Sequence, residues 1–140
     1  MALVKSTTDT AKAGQKALVN IGTALTKQFN GFNIRVRELD GYIHATDMCK
    51  VGNKEWSGYM RNKRTQEFII ALEIEVGIRK DLLIESTEGR NGGIWVHPYI
   101  ATHLSQWISP IFAVKVSVWI EEWRMYNIEN NEKYIHDINT

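Results

Sequence analysis

The order of elements in this sequence predicts an α+β domain, and three observations carry that reading. Two short runs of alternating residues, each turning back on itself near a glycine, are separated by stretches of helical periodicity. The chain's two prolines, Pro98 and Pro110, stand at the heads of two consecutive helical patterns after the second pair of runs. A short helix, a Gly-Asn turn and a basic helix, followed by a hairpin with a basic glycine-rich tip, supply the parts of a winged helix-turn-helix. Two short hairpins and about five or six helices are expected in all.

Residues 1–30 form an N-terminal extension in which Leu18, Ile21, Leu25 and Phe29 fall at helical spacing, so an amphipathic helix can start near Ala13. "NIRVREL" alternates Ile34, Val36 and Leu39 with charged residues, as a strand does. Asp40-Gly41 then signals a two-residue hairpin turn, and "YIHA" is the returning strand. Thr46 is placed to cap a short helix, with Asp47 in its first turn, and Gly52-Asn53 ends it. From Glu55 a helix carries Trp56, Tyr59 and Met60 on one face. Thr65 opens another, with Phe68, Ile69, Leu72 and Val76 in period until Gly77 closes it.

"LLIES" and "GGIWV" read as the strands of the second hairpin, and the turn residues between them carry Arg90. Proline costs no internal hydrogen bond in a helix's first turn, so Pro98 starts a helix containing Ile100, Leu104 and Trp107. His97, held extended ahead of Pro98, is placed to cap that helix. Ser109 caps the next one, opened by Pro110, with Phe112, Val116, Trp119, Ile120 and Trp123 on its apolar side. The resulting division is an extension over 1–30, a domain over 31–126 and an acidic tail over 127–140.

The totals narrow the function classes. With 140 residues, 44% hydrophobic and 24% charged, the chain can bury the core of one globular domain. No apolar run approaches a membrane span, and a lone Cys49 cannot form an internal disulfide, so an intracellular protein is expected. The net charge of +1 conceals an uneven distribution. Lys50, Lys54, Arg61, Lys63 and Arg64 face only Glu55 between residues 50 and 64, a local +4, whereas residues 65–89 sum to −4. Such an island creates a positive face that the total hides. His44 and Cys49, or His97 and His103, lack paired zinc-ligand spacing, and no serine sits in a nucleophile elbow, so no metal, cofactor or enzymatic activity is expected.

"DGYIHATDMCKVGNKEWSGYMRNKRTQEF" together with "GGIWVHPYIATHLSQWISPIFAVKVSVWI" resembles the KilA-N domain of large DNA viruses and phages, over about Ile34 to Trp123. A shorter echo is similar to the fungal APSES DNA-binding domains. The resemblance implies a compact nucleic-acid-binding domain, often joined to a second module such as a RING finger. One cysteine cannot build a RING zinc site, so any such partner domain would lie elsewhere. If viral, the protein would work in the host cytoplasm or nucleus.

Combined with the basic island, the resemblance points to double-stranded DNA, with RNA left open, and to Lys50, Lys54, Ser57, Arg61, Asn62, Lys63, Arg64 and Arg90 as contacts. Lys63 and Arg64, at the end of the basic helix over residues 55–64, would reach phosphates. Arg61 and Asn62, further inside, would reach base edges, and Gly58 would permit close backbone approach. Arg90 would lie in the glycine-rich wing over residues 87–93. The tryptophans, which can stack on bases, fall at core periodicity. The competing reading is a protein-interaction module using the acidic helices and the N-terminal amphipathic helix, which could also pair with its own copy in a homodimer.

Overall fold

The computed structural model describes residues 24–89 and 92–139, with side chains as far as Asn130. Among these, five antiparallel strands form one sheet with six helices around it. The strands are β1 (Ala24–Phe29), β2 (Phe32–Arg37), β3 (Ile43–His44), β4 (Ile84–Thr87) and β5 (Gly93–Val96), in the order β1-β2-β3-β5-β4. The helices are α1 (Ala45–Val51), α2 (Trp56–Arg61), α3 (Lys63–Val76), α4 (Lys80–Leu83), α5 (Pro98–Ile108) and α6 (Pro110–Asn139). The α+β class and the two hairpins of the sequence reading are present.

A third hairpin, β1–β2, precedes the two that were expected. Leu25 and Phe29 lie on β1, not on an amphipathic helix, whereas Leu18 and Ile21 lie outside the described residues. The cause is Asn30-Gly31, whose φ values of 50° and 85° suit a two-residue turn matched to strand twist. Phe29 pairs with Phe32 across it. Ile34 and Val36 then point into the core, as their alternation requires.

Leu39 leaves the strand and is exposed, because the chain turns through four residues, Glu38 to Gly41, not two. Gly41 N–H donates to Arg37 O and Arg37 N–H to Tyr42 O, both at 2.8 Å. Gly41 has φ 77°, and a Cβ there would sit 2.9 Å from the Trp123 ring. Trp123 in turn donates from Nε1 to Glu38 O at 2.9 Å, which ties this loop to α6.

Other boundaries shift for identifiable reasons. His44, not Thr46, caps α1: its Nδ1 accepts from Asp47 N–H at 3.2 Å. Leu82 and Leu83 of "LLIES" form the short α4 rather than the strand start, and Leu83 is fully buried there. His97 caps α5 by accepting from Tyr99 N–H at 3.0 Å, and Ser109 caps α6 by accepting from Phe112 N–H at 3.3 Å. Both prolines occupy the first helical turns read for them. Met48, Tyr59, Leu104, Phe112 and Val116 converge with the inner sheet residues in one core. Cys49 is buried among them, and burial pushes its thiol up to about 11.

One polar cluster joins sheet, α1 and second hairpin. Arg35 on β2 grips Asp47 on α1 through Nε to Oδ2 at 2.8 Å and Nη2 to Oδ1 at 3.0 Å, and its backbone N–H donates to Oδ2 at 3.1 Å. His44 Nδ1 is the cap acceptor, so the ring proton sits on Nε2, which faces Gly92 O at 3.4 Å. Trp95 packs edge-on against the same imidazole. Burial acts to raise the Asp47 pKa. The hydrogen bonds donated by the Arg35 side chain and backbone outweigh burial and hold the carboxyl well below the ordinary carboxylate range.

Two predictions follow from this cluster. A Cβ at Gly93 would collide with His44 Nε2, at a φ of 150° that suits glycine. Gly93→Ala is therefore expected to cost about 2–4 kcal/mol in urea unfolding. A depressed folded-state pKa gives stability that is present above the unfolded value, 3.8, and is lost as pH falls below it. Wild-type stability should thus drop below about pH 4, and Asp47→Asn, already weaker at neutral pH by about 1–3 kcal/mol, should show a shallower drop. Parallel pH curves for the two proteins would remove Asp47 as a source of the acid sensitivity.

Candidate nucleic-acid interface

The basic residues lie on three consecutive elements, α1, α2 and the start of α3, but not on one helix. α2 ends at Arg61, and Asn62 adopts an extended conformation with φ −69° and ψ 128°. Asn62 Oδ1 accepts from Arg64 N–H at 2.9 Å and so caps α3. The basic helix expected over residues 55–64 is therefore two helices with a cap between them. The short polar side chain of Asn62 offers the backbone a better partner than helix continuation would. Lys63 and Arg64 stand in the first turn of α3, not at the end of a recognition helix.

That placement concentrates positive charge. The N-terminus of a helix already carries about half a positive charge, and cations there are unfavourable by about 0.3–1 kcal/mol. No acidic residue occupies the first turn of α3 to offset them. Lys63 and Arg64 are exposed, as are Arg61 at the end of α2, Ser57 in its first turn and Lys50 in the last turn of α1. An anion approaching the start of α3 would meet cationic side chains and a helix dipole of the same sense.

Lys54 plays a different part. Its Nζ donates to Trp107 O at 3.0 Å and lies 4.2 Å from the centroid of the Trp107 ring. It thereby satisfies a carbonyl at the C-terminal end of α5 and fixes the turn between α1 and α2. Gly58 faces the same indole, where a Cβ would make ordinary contact at 3.6 Å, so it is not a bare backbone patch offered to ligand. Trp56 and Trp107 are half-buried beside Tyr59, while Trp95 and Trp119 are buried. Arg90, expected in a wing, lies outside the described residues. The hairpin that leads to it is fixed by His44 at the start of α1, about 9 Å along that helix from Lys50.

The KilA-N domain pattern matches residues 27–126 of the chain. The chain belongs to the KilA-N domain family. Two KilA-N domain-containing proteins of Acanthamoeba polyphaga mimivirus are similar to it. One is 36% identical over 115 residues, covering 79% of this chain and 31% of the relative. The other is 35% identical over 132 residues, covering 87% of this chain and 54% of the relative. The chain thus spans between about a third and a half of the length of these curated relatives. No solved structure matches it significantly.

The KilA-N family is one of large DNA viruses and is generally associated with DNA binding rather than catalysis. Among the described residues of this KilA-N chain no helix is long and apolar enough to cross a membrane. Sequence reasoning missed Arg35, His44 and Asp47 as a unit, and it missed the Lys54–Trp107 clamp. Only the His44-x-x-Asp47 spacing, which mimics a capping box, was a local signal for the first. The clamp joins residues 53 positions apart and has no local signal.

The cap role of Asn62 gives a stability test separate from any ligand. Asn62→Ala should destabilise the fold by about 1 kcal/mol. Arg61→Ala, at an exposed position, should stay within about 0.5 kcal/mol of wild type. Urea titrations followed by tryptophan fluorescence measure both, and equal stability of Asn62→Ala and wild type would remove the cap from the account.

Proposed function

We propose that the chain binds double-stranded DNA through the face made by the end of α1, α2 and the first turn of α3. The observation that carries this reading is the pair Lys63 and Arg64 at the uncompensated N-terminus of α3, with Lys50 and Arg61 exposed on the neighbouring helix ends. Membership of a family associated with DNA binding supports it. Lys63 and Arg64 at the start of α3 neutralise phosphates, and Lys50 extends the contact along the duplex. Ser57, exposed on α2, donates or accepts at a phosphate or base edge.

Within this face the roles divide by geometry. Lys63 and Arg64 point from a helix start, the position at which backbone dipole and side-chain charge act together on one phosphate. Arg61 can form a bidentate pair with a guanine edge. Asn62 sets the angle between α2 and α3, and its Nδ2 can reach an adenine while Oδ1 holds the cap. Lys54 acts through Trp107 to fix the turn on which Ser57 and Arg61 depend. Arg90, on the hairpin held against α1, adds a minor-groove or phosphate contact on the same duplex.

Neutralisation of about four phosphates sets the expected salt dependence, a slope near −4 in log K against log salt. Lys63→Ala should weaken binding to all sequences alike and reduce that slope by about one unit. Arg61→Ala should cost about 1–3 kcal/mol on a selected duplex and less on a scrambled one. Fluorescence anisotropy of each variant on both duplexes at several salt concentrations provides the measurement. Retention of wild-type affinity by Lys63→Ala and Arg61→Ala together would place any DNA contact away from this face.

A further inference from the structure

α6 has two apolar faces, and among the described residues only one is packed against the domain. Phe112, Val116 and Trp119 are buried against the core. On the opposite side of the helix Ile111, Val114, Val118, Met125 and Ile128 are exposed, Ile111 and Val114 by 74% and 66%. Their spacing alternates between three and four, with Glu121 at the one interrupted step, which is the period of a helix-pairing seam. A helix that served only to cover its own domain would carry polar residues on this side. The seam runs for about 26 Å along the axis.

We propose that this seam pairs with the same seam of a second copy of the chain in an antiparallel helix dimer. A twofold axis near residues 119 and 120 sets Ile111 against Ile128 of the second copy and Val114 against its Met125, with Val118 meeting its Glu121. Every apolar seam residue then enters a shared layer. The flanks decide the direction. Lys115 on one copy faces Glu122 of the other, an exposed carboxylate that its own Lys27 approaches at 3.8 Å, and the symmetry repeats this opposite-charge contact. A parallel arrangement would instead place the two Glu121 carboxylates in one layer, where like charges repel. In the antiparallel dimer each Glu121 meets Val118 rather than the other Glu121, and its carboxylate reaches out of the seam to its own Arg124 at 2.7 Å.

The buried face of α6 and the seam lie on opposite sides of the helix, so each domain stays outside the pairing. A contact of this length is at the low end of stable interfaces, so the dimer should form with a dissociation constant in about the micromolar range. This inference does not depend on DNA binding.

Sedimentation equilibrium of the full 140-residue chain should show a reversible monomer–dimer equilibrium between about 1 and 200 µM. Val114→Glu with Val118→Glu, at two exposed positions, should raise the dissociation constant by about tenfold or more while the circular dichroism melt is retained. Orientation is read by cross-linking. Ile111→Cys and Ile128→Cys proteins, mixed under oxidation, should form the mixed disulfide faster than either forms one alone, and Cys49 is buried and so adds no background. A monomer throughout the range, or a dimer indifferent to the two glutamates, would overturn the proposal. Faster disulfide formation by each variant alone would overturn the antiparallel arrangement.

Discussion

The Arg35–Asp47 ion pair is the contact on which the arrangement of this protein turns. It joins the middle of β2 to the first turn of α1, and through His44 it reaches the hairpin formed by β4 and β5. Burying a carboxylate is costly unless its oxygens are satisfied, and here the Arg35 side chain and backbone satisfy them together. The cost of separating these groups gives α1 one direction relative to the sheet. That direction carries Lys50 and the turn to α2 outward, and with them the whole basic face. Arg37 repeats the device one pleat away, bonded to Asp40 and Glu85 and lying over Tyr42 and Trp95.

What the sequence makes legible follows from the range of the forces involved. The prolines, Gly52 and Gly77 act on their own turns, and the structure places helix ends where those residues stand. The alternation of Ile34 and Val36 likewise reports one face of one strand. The helix expected through Leu25 and Phe29 fails because a short amphipathic period is weaker than a local turn signal, Asn30-Gly31, joined to pairing with β2. Thr46 loses the cap to His44 because Trp95 and Gly92, some fifty residues later, fix the imidazole in place. No local pattern contains that information.

The basic face was legible as composition but not as geometry. Counting charge between residues 50 and 64 locates it, yet the count cannot show that Asn62 divides it or that Lys54 is held by Trp107. Those two contacts separate the segment into residues that shape the surface and residues that populate it. Arg61, Lys63 and Arg64 remain exposed because the neighbouring apolar residues, Tyr59 and Ile69, are drawn into the core on either side of the break. The interruption therefore displays three cations at a corner rather than along a rod.

The strand β3 is two residues long, and that brevity bears on how the chain reaches its native state. Each hairpin closes between near neighbours in sequence, whereas Ile43 and His44 must find Val96 and Trp95 about fifty residues away. Closing such a loop costs entropy that only a few ladder bonds repay, so the docking of the two hairpins on either side of β3 is expected to be the slow step of folding. Substitutions at this junction are then expected to slow folding, and those in the outer strands to speed unfolding.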